Sequence, residues 1–226
     1  MKILAIVPAY NEEECLESTI AELTSTCPDV DYLVINDGSS DSTGPICDSL
    51  GLNHVDLPIN CGLASGFRTG MKYALRNGYD AAIQIDSDGQ HIPSYIPVMA
   101  EALSQKKADV VIASRNLAGG GAVGARGIGA KLITGLIRFA SGQVISDPTS
   151  GMRMYNRKMI EKFAKSFDLQ PEPDAMAYLI RKGATVVEVP AEMRDRQGGT
   201  SYLNFFKSIS YMARTCLSII LFIWFR

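Results

Sequence analysis

Ala81-Ala82-Ile83-Gln84-Ile85-Asp86-Ser87-Asp88-Gly89-Gln90-His91 sets two carboxylates, two residues apart, directly after a mostly apolar run. The run 81–85 predicts a buried strand, which would deliver Asp86 and Asp88 to the edge of a sheet. Carboxylate oxygens suit a hard divalent ion such as Mg²⁺ or Mn²⁺, which is commonly shared with substrate phosphates. The stretch therefore predicts a metal site for a nucleotide diphosphate. The alternative is an ordinary acidic turn, which is what a lone D-x-D sequence more often forms.

Strand and helix patterns alternate along the rest of the chain. Short apolar runs predict strands at Ile3–Val7, Asp31–Asn36, His54–Leu57, Ala81–Ile85, Asp109–Ala113, Met152–Tyr155 and Thr185–Val189. Helical spacing predicts helices at 12–25, Pro45–Leu50, Ala64–Asn77, Tyr95–Gln105, Arg157–Lys165 and Asp174–Arg181. This alternation predicts an α/β fold with a Rossmann-like, mostly parallel sheet flanked by helices. Ligands of such sheets bind at the carboxyl ends of the strands.

Two further predictions concern the start of the first helix and a glycine-rich segment. A helix over 12–25 would place Glu12, Glu13 and Glu14 in its first turn, where the helix dipole favours acidic side chains. The segment 116–129 contains six glycines and predicts a mobile loop that serves substrate entry.

Composition limits the classes of protein to which the chain could belong. Its 226 residues fit one domain with or without an appendage. Five cysteines without C-x-x-C spacing fit a reduced protein that has neither disulfides nor zinc. The apolar start Ile3–Val7 is too short for a signal peptide, so the domain is expected in the cytoplasm. A net charge of −2 gives no reason to expect nucleic acid, whereas the basic residues from Arg194 onward could meet an anionic group or a membrane.

The C-terminal segment 203–226 has a different character from the domain predicted over 1–202. Its ten uncharged residues Cys216–Phe225 are too few to span a bilayer, which needs about 20 apolar residues. Lys207 and Arg214 precede them among aromatic and apolar residues, a pattern typical of an interfacial amphipathic helix. The segment is therefore predicted to associate with the membrane. An ordinary C-terminal core helix, or a helix that pairs two subunits in a homo-oligomer, is the alternative.

Five motifs in this order carry a resemblance that covers about residues 3–202. They are Pro8-Ala9-Tyr10-Asn11-Glu12, Asp37-Gly38-Ser39-Ser40-Asp41, Asp86-Ser87-Asp88-Gly89-Gln90-His91, Asp147-Pro148-Thr149-Ser150-Gly151-Met152-Arg153 and Arg196-Gln197-Gly198-Gly199-Thr200-Ser201. The chain resembles the family 2 glycosyltransferases of GT-A fold. Within that family it is most similar to dolichyl-phosphate mannose synthase and its bacterial polyprenyl-phosphate relatives.

The resemblance implies a donor site and a metal site. Residues implied to line the nucleotide-sugar site are Pro8, Ala9, Tyr10, Glu12, Ile35, Asp37, Asp86, Ser87 and Asp88. Asp86, Asp88 and Gln90 are implied to hold Mg²⁺ or Mn²⁺ together with the diphosphate of the donor.

The resemblance also implies residues for the acceptor and for the chemistry. Arg115 and Arg196 would face the phosphates, and Arg126, with Arg115, falls where relatives bind the acceptor phosphate. The catalytic set is then Asp88, Arg115, Asp147 and Arg196. Asp147 is either a base or the residue that caps the turn after it.

The implied reaction is an inverting transfer of a sugar from a nucleotide sugar to a polyprenyl phosphate such as undecaprenyl phosphate, at the cytoplasmic face of the membrane. Tyr202 stands where mannose synthases commonly have lysine, which favours UDP-glucose or UDP-N-acetylglucosamine as donor. A transferase that extends a surface polysaccharide on a hydroxyl acceptor, with Asp147 as base, is the first alternative. A non-catalytic nucleotide-sugar binding module is the second. Nucleotidyl transfer is disfavoured because no glycine-rich phosphate loop follows Val7.

Overall fold

The computed structural model describes residues 1–120, 125–196, 198 and 205–222, and within these it leaves out the side chains of 125, 126, 205–209 and 222. One sheet organises this part of the chain. Its strands are β1 (Ile3–Ala9), β2 (Asp31–Asn36), β3 (His54–Asp56), β4 (Ala81–Gln84), β5 (Val110–Ser114), β6 (Arg153–Asn156) and β7 (Val186–Pro190). Their order across the sheet is β3-β2-β1-β4-β6-β5-β7.

All neighbouring strands are parallel except β6, which pairs antiparallel with both β4 and β5. The helices are α1 (Leu16–Thr26), α2 (Thr43–Ser49), α3 (Leu63–Arg76), α4 (Ile96–Gln105), α5 (Ala125–Ser141), α6 (Arg157–Lys165), α7 (Pro173–Arg181) and α8 (Phe205–Leu217). A 3₁₀ turn at Pro93–Tyr95 and a π-helical turn at Ser218–Phe222 complete the described elements. The α/β fold predicted from the sequence is confirmed.

The sheet separates two apolar cores, because successive side chains of a strand point to opposite faces. In β1, Leu4 and Ile6 join the core that α3, α5, α6 and α7 cover. Ala5 and Val7 join the other core, which α1 and α4 cover. This two-sided burial explains why the strands read as nearly continuous apolar runs rather than as alternating patterns.

Two boundaries differ from the predictions by more than two residues. The helix expected from residue 12 begins at Leu16, so Glu12, Glu13 and Glu14 precede it rather than form its first turn. The backbone N–H of Glu12 donates to Thr43 Oγ1 (2.9 Å) and that of Glu13 to Asp41 Oδ2 (3.2 Å), which ties this segment to the turn after β2. The predicted loop 116–129 is also too long, because α5 already begins at Ala125.

The C-terminal helix packs on α5 at a glycine. A Cβ atom added to Gly129 would lie 1.7 Å from Met212 Sδ, so the absent side chain leaves the space that the Met212 side chain occupies. Thr215 and Ile219 are buried in this contact, whereas Leu217, Ile220 and Leu221 stay exposed. The segment is thus partly a core element. In the part of the chain that the structure describes, no helix combines the length and the apolar character needed to cross a bilayer.

Gly129→Ala is expected to destabilise the protein by about 1–3 kcal/mol, because the added methyl group overpacks the crossing of α5 and α8. Gly135→Ala is the matched control in the same helix: Gly135 is exposed with nothing within 4 Å of an added Cβ. That change should stabilise by up to about 1 kcal/mol through helix propensity. Urea unfolding of both variants measures the difference, and Met212→Ala in the Gly129→Ala background should remove most of the penalty. Equal stabilities of the two alanine variants would contradict this packing.

Candidate active site

Polar side chains follow the carboxyl ends of several neighbouring strands, as the sequence predicts. Asp37 follows β2, the pair Asp86 and Asp88 follows β4, Arg115 follows β5, and Arg196 lies six residues beyond β7. The parallel strands bring these groups to one edge of the sheet. Such an edge is where open α/β sheets bind their ligands.

Asp37, at the carboxyl end of β2, anchors the loop that leads into α3. Its buried carboxylate accepts the backbone N–H groups of Cys61 and Gly62, both at 2.8 Å. Gly38 permits the approach of this loop: its φ is +65°, and an added Cβ would lie 2.4 Å from the carbonyl carbon of Ile59. Asp37 is therefore an anchor of the segment that leads into α3, and each carboxylate oxygen keeps a lone pair for a further donor.

The predicted nucleotide-sugar-binding residue Ile35 is one of the core residues of β2. Ile35 lies inside β2 between β1 and β3, and its side chain is fully buried in the core. Gly66 of α3 covers it, since a Cβ there would lie 3.6 Å from Ile35 Cγ2. Neighbouring residues surround this side chain, so the contact of Ile35 with a nucleotide sugar stays a prediction and would involve its backbone.

An exposed tyrosine follows β1, next to a buried alanine. Tyr10 is 45% exposed, whereas the preceding Ala9 is buried. Ser87 Oγ donates to the carbonyl of Pro8 at 3.0 Å, and this bond ties the β1 end to the acidic loop after β4. This bond joins the predicted donor-site residues at the end of β1 to those that follow β4.

His91 supports Asp86. The backbone N–H of Asp86 donates to His91 Nδ1 at 2.9 Å, and because a backbone N–H can only donate, the ring proton belongs on Nε2. Nε2 then faces Asp86 Oδ2 at 3.5 Å. Gln84 Nε2 donates to Asp86 Oδ1 at 2.9 Å. Both carboxylate oxygens of Asp86 are oriented by these neighbours, while about a third of the side chain stays exposed to the cleft.

Asp88 is buried and binds Arg196. Arg196 Nε donates to Asp88 Oδ2 at 3.0 Å, and Nη2 lies 2.9 Å from the same oxygen in an ion pair. The arginine reaches this point because the backbone N–H of Arg194 donates to the Gln90 carbonyl (3.0 Å) and Gln90 Nε2 donates to the Arg194 carbonyl (3.3 Å). The acidic loop and the loop after β7 are therefore one unit, and the amide oxygen of Gln90 is left for a ligand.

Glu12 lies among these acidic groups. Burial raises the pKa of Glu12 from 4.5 to about 7, with the charge of Arg196 opposing the rise and those of Asp88 and Asp86 adding to it. Its Oε2 atom is buried and has no hydrogen-bond partner within the described residues. A buried carboxylate oxygen without a partner is costly, so this atom marks a place for a cation or for a hydroxyl group of a ligand.

The donor set fits a divalent cation that substrate phosphates help to bind. The available ligand atoms are carboxylate and amide oxygens, which Mg²⁺ and Mn²⁺ prefer. Across the described residues, no cluster of three or more His, Cys, Asp or Glu side chains could hold a metal by itself. Such an incomplete set is typical of Mg²⁺ sites, which use one or two carboxylates and complete their shell with phosphates and water.

Asp147 and Arg115 form a bidentate ion pair. Asp147 Oδ2 accepts Arg115 Nε and Oδ1 accepts Nη2, both at 2.7 Å, and the Arg115 backbone N–H adds a third bond at 3.0 Å. Burial alone would raise the pKa of Asp147, but its hydrogen bonds to Arg115 and the arginine charge outweigh this effect and hold the pKa below its usual range. Asp147 is thus a weak base whose lone pairs are already engaged.

Sequence reasoning gave no role to Gly151, which the structure places against the acidic loop. A Cβ added to Gly151 would lie 3.1 Å from Asp86 Oδ2 and 3.3 Å from His91 Cε1. Its place in the D-P-T-S-G-M-R motif was the available signal. Arg126 lies in the first turn of α5, where the structure describes its backbone but not its side chain.

A family model described as glycosyl transferase family 2 matches residues 4–164 of the chain. The chain belongs to this family. It is therefore a glycosyltransferase, and the resemblance that its five motifs carry is confirmed. The polyprenol monophosphomannose synthase of Mycolicibacterium smegmatis is 32% identical, over 90% of this chain and 81% of the relative. The undecaprenyl-phosphate mannosyltransferase of Micrococcus luteus is 31% identical, over 90% and 88%.

A more distant relative and a solved structure complete the comparison. The undecaprenyl-phosphate 4-deoxy-4-formamido-L-arabinose transferase of Salmonella paratyphi B is 27% identical, over 96% of this chain and 68% of the relative. Glucosyl-3-phosphoglycerate synthase of Mycobacterium tuberculosis, in complex with Mn²⁺, UDP and phosphoglyceric acid, superposes with a TM-score of 0.68. It is 19% identical, over 98% of this chain and 78% of that one, so it bears on the GT-A fold alone.

Proposed function

We propose that this glycosyltransferase moves a sugar from a nucleoside diphosphate sugar to a polyprenyl phosphate, with inversion at the anomeric carbon. The observation that carries the acceptor class is the Asp147–Arg115 pair, which leaves Asp147 unsuited to remove a proton. A phosphate acceptor needs no such base, because its second pKa of about 6 leaves it largely ionised at neutral pH. The three relatives described above are named as polyprenol- or undecaprenyl-phosphate sugar transferases, which supports the same acceptor.

On the donor side, the leaving diphosphate has to be neutralised. Asp86, Asp88 and the Gln90 amide oxygen would hold a divalent cation, Mg²⁺ or Mn²⁺, whose charge stabilises the departing group. Arg196, which already lies against Asp88, supplies a fixed second positive charge with the planar geometry that phosphate oxygens accept. Glu12 would add its unpartnered oxygen to the ribose or to the cation.

The nucleotide base would rest between the ends of β1 and β2. Tyr10 offers its exposed ring, and Pro8 and Ala9 shape the wall behind it. Asp37 keeps a lone pair on each oxygen for a base N–H while it holds the 59–62 loop. Ser87 contributes by fixing the wall to the acidic loop.

The acceptor phosphate would approach from the side of β5. Arg115 is about a third exposed even while it binds Asp147, so its guanidinium can contact an arriving phosphate without leaving its partner. Arg126 is proposed as the second acceptor contact. In this arrangement the attacking oxygen needs position more than proton transfer.

For the donor, two indications diverge. Tyr202 favours UDP-glucose or UDP-N-acetylglucosamine, which we retain as the proposed donors, whereas two of the relatives are named for mannose. The decisive experiment incubates the protein with Mn²⁺, undecaprenyl phosphate and one radiolabelled donor at a time: UDP-glucose, UDP-N-acetylglucosamine or GDP-mannose. A chloroform-soluble labelled product is expected with one UDP-sugar. A product with GDP-mannose alone would correct the donor, and no lipid product with any of the three would refute the function.

A membrane-facing surface would bring the enzyme to its lipid. Ile128, Leu132 and Phe139 share one face of α5, and they are 72%, 56% and 81% exposed. Lys131 and Arg138 flank this stripe on one side and are also exposed. Apolar side chains with adjacent basic groups are typical of helices that lie in the headgroup region of anionic membranes. Together with the exposed apolar residues of the C-terminal segment, this stripe supports peripheral binding, which we place at the cytoplasmic face.

Leu132→Asp is expected to reduce binding to vesicles of phosphatidylglycerol about tenfold, because it removes apolar contact and repels anionic headgroups. Val98→Asp is the matched control, since Val98 is a similarly exposed aliphatic residue of α4, on the opposite face of the sheet. Vesicle co-sedimentation measures both variants. Equal binding of Leu132→Asp and wild type would show that α5 does not contact the membrane.

A further inference from the structure

Arg153, the first residue of β6, is a charged side chain in the interior. It is only 2% exposed, and none of the ion pairs in the described part of the chain includes it. Burying a charge is unfavourable unless hydrogen bonds compensate for the lost water. The Glu172 carboxylate lies near enough for its charge to interact with that of Arg153, but the hydrogen bonds of the guanidinium go to neutral groups.

All three of its nitrogens donate to backbone carbonyls. Nη2 donates to Pro148 at 2.7 Å and Nε donates to Ser150 at 2.8 Å, so two bonds close on the turn between Asp147 and β6. Nη1 donates to Pro171 at 3.0 Å, in the segment before α7. The side chain is thus a rigid connection between this turn and the neighbouring layer of helices.

The turn that Arg153 holds contacts both halves of the candidate active site. At its start, Asp147 binds Arg115 through both carboxylate oxygens. At its end, Gly151 lies so close to Asp86 and His91 that a Cβ atom added to it would lie within 3.4 Å of both side chains. A shift of the turn would therefore change the direction of the acceptor-side arginine and the surroundings of the metal-side carboxylate together.

We propose that Arg153 is a positioning residue for glycosyl transfer: it fixes the 148–150 turn so that Asp147 and Gly151 hold Arg115 and Asp86 in their working places. It touches neither substrate. The inference rests on the proposed function for the roles of Arg115 and Asp86, but the connection through the turn is a property of the protein alone. A lysine at this position keeps the charge and loses the planar fork that reaches three carbonyls.

The test compares Arg153→Lys with Arg157→Lys. Arg157 is an exposed residue of α6 that donates to the Tyr79 carbonyl, remote from the cleft at the opposite end of β4, and serves as the matched arginine-to-lysine control. For each protein we would measure kcat, binding of UDP without metal, and binding of Mn²⁺ in the presence of UDP by the loss of its free electron-spin resonance signal. Hydrogen–deuterium exchange of peptide 145–155 in the metal-free protein is the fourth readout.

Arg153→Lys is expected to weaken Mn²⁺ binding and lower kcat by about tenfold each, a size typical for partners that orient metal ligands. UDP binding without metal should be unchanged, and exchange should rise in peptide 145–155. Arg157→Lys should match wild type in all four measurements. A merely structural role predicts a lower melting temperature, with kcat per folded enzyme and Mn²⁺ affinity unchanged, and that result would overturn the proposal.

Arg153→Met removes all three donors at once. The backbone carbonyls of Pro148, Ser150 and Pro171 then lose their partner, which costs about 1–3 kcal/mol for each one that stays buried, so kcat is measured per folded enzyme. We expect a folded protein whose kcat falls by about 100-fold, as loss of geometry near reacting groups predicts. Wild-type kcat in this variant would refute the role of Arg153, and if it does not fold, the lysine variant decides.

The outcomes also separate this inference from the proposed function. If wild-type protein transfers no sugar to lipid, the proposed function fails, while Mn²⁺ binding and hydrogen exchange still report whether Arg153 orients Asp86 through the turn. If transfer occurs and those two readouts do not change in Arg153→Lys, only the inference about Arg153 fails.

Discussion

Asp88→Asn is expected to lower kcat for glycosyl transfer by about a thousandfold, which corresponds to about 4 kcal/mol of lost transition-state stabilisation. The reason is electrostatic. Asp88 holds Arg196 and is the buried member of the proposed cation site, so the neutral amide would bind the cation more weakly and position Arg196 less firmly opposite the leaving diphosphate. Initial rates at saturating donor and Mn²⁺ measure the effect.

The control for this variant is Asp48→Asn, which removes a carboxylate from an exposed position on α2. It should keep wild-type activity. Because Arg196 is about a third exposed, water replaces its lost partner, and Asp88→Asn should stay folded with a small change in melting temperature. If Asp88→Asn retained more than a tenth of the wild-type kcat, the stabilisation of the leaving group through this residue would be wrong.

The fold could be predicted because its strands are buried on both faces. Ile3–Ala9 and Val110–Ser114 each read as an apolar run bounded by polar or turn residues, and alternation with amphipathic helices fixed the α/β class. The antiparallel insertion of β6 between β4 and β5 could not be predicted, because strand order depends on contacts between distant segments. The start of α1 was missed because the side chains of Asp41 and Thr43 bind the backbone N–H groups of the residues that precede the helix.

The candidate site was predictable to the extent that its residues follow strands. Asp86, Asp88 and Arg115 were placed correctly at the carboxyl edge because each comes directly after an apolar run. Their partners were not predictable from spacing. Arg196 is 108 residues from Asp88, and Asp147 is 32 residues from Arg115. Such pairs are decided by how the loops fold over the edge of the sheet.

Asp147→Asn tests the ion pair between Asp147 and Arg115, first through its effect on the free energy of unfolding. The change leaves Arg115 with a weaker partner, and because this arginine is about a third exposed, we expect a loss of about 1–3 kcal/mol, below the 3–5 kcal/mol typical of fully buried pairs. The folded-state pKa of Asp147 is lowered, so the pair stabilises the protein above the unfolded pKa of about 4 and loses that contribution as pH falls through the folded value. Urea unfolding between pH 3 and pH 7 should show a shallower acid dependence in the variant.

The same variant separates the two acceptor classes. If a lipid phosphate attacks, Asp147 only orients Arg115, and kcat should fall by about 100-fold, the size expected from misplaced binding groups. If a sugar hydroxyl attacks, removal of its base would add the 10²–10⁴-fold contribution of general base catalysis to that loss.

The pH profile of kcat is the second measurement that distinguishes the two acceptor classes. An acceptor that arrives ionised predicts the same profile for wild type and Asp147→Asn, whereas a working base predicts that the acidic limb disappears with the carboxylate. Since Asp147 already accepts three hydrogen bonds from Arg115, we expect the smaller loss and the unchanged profile.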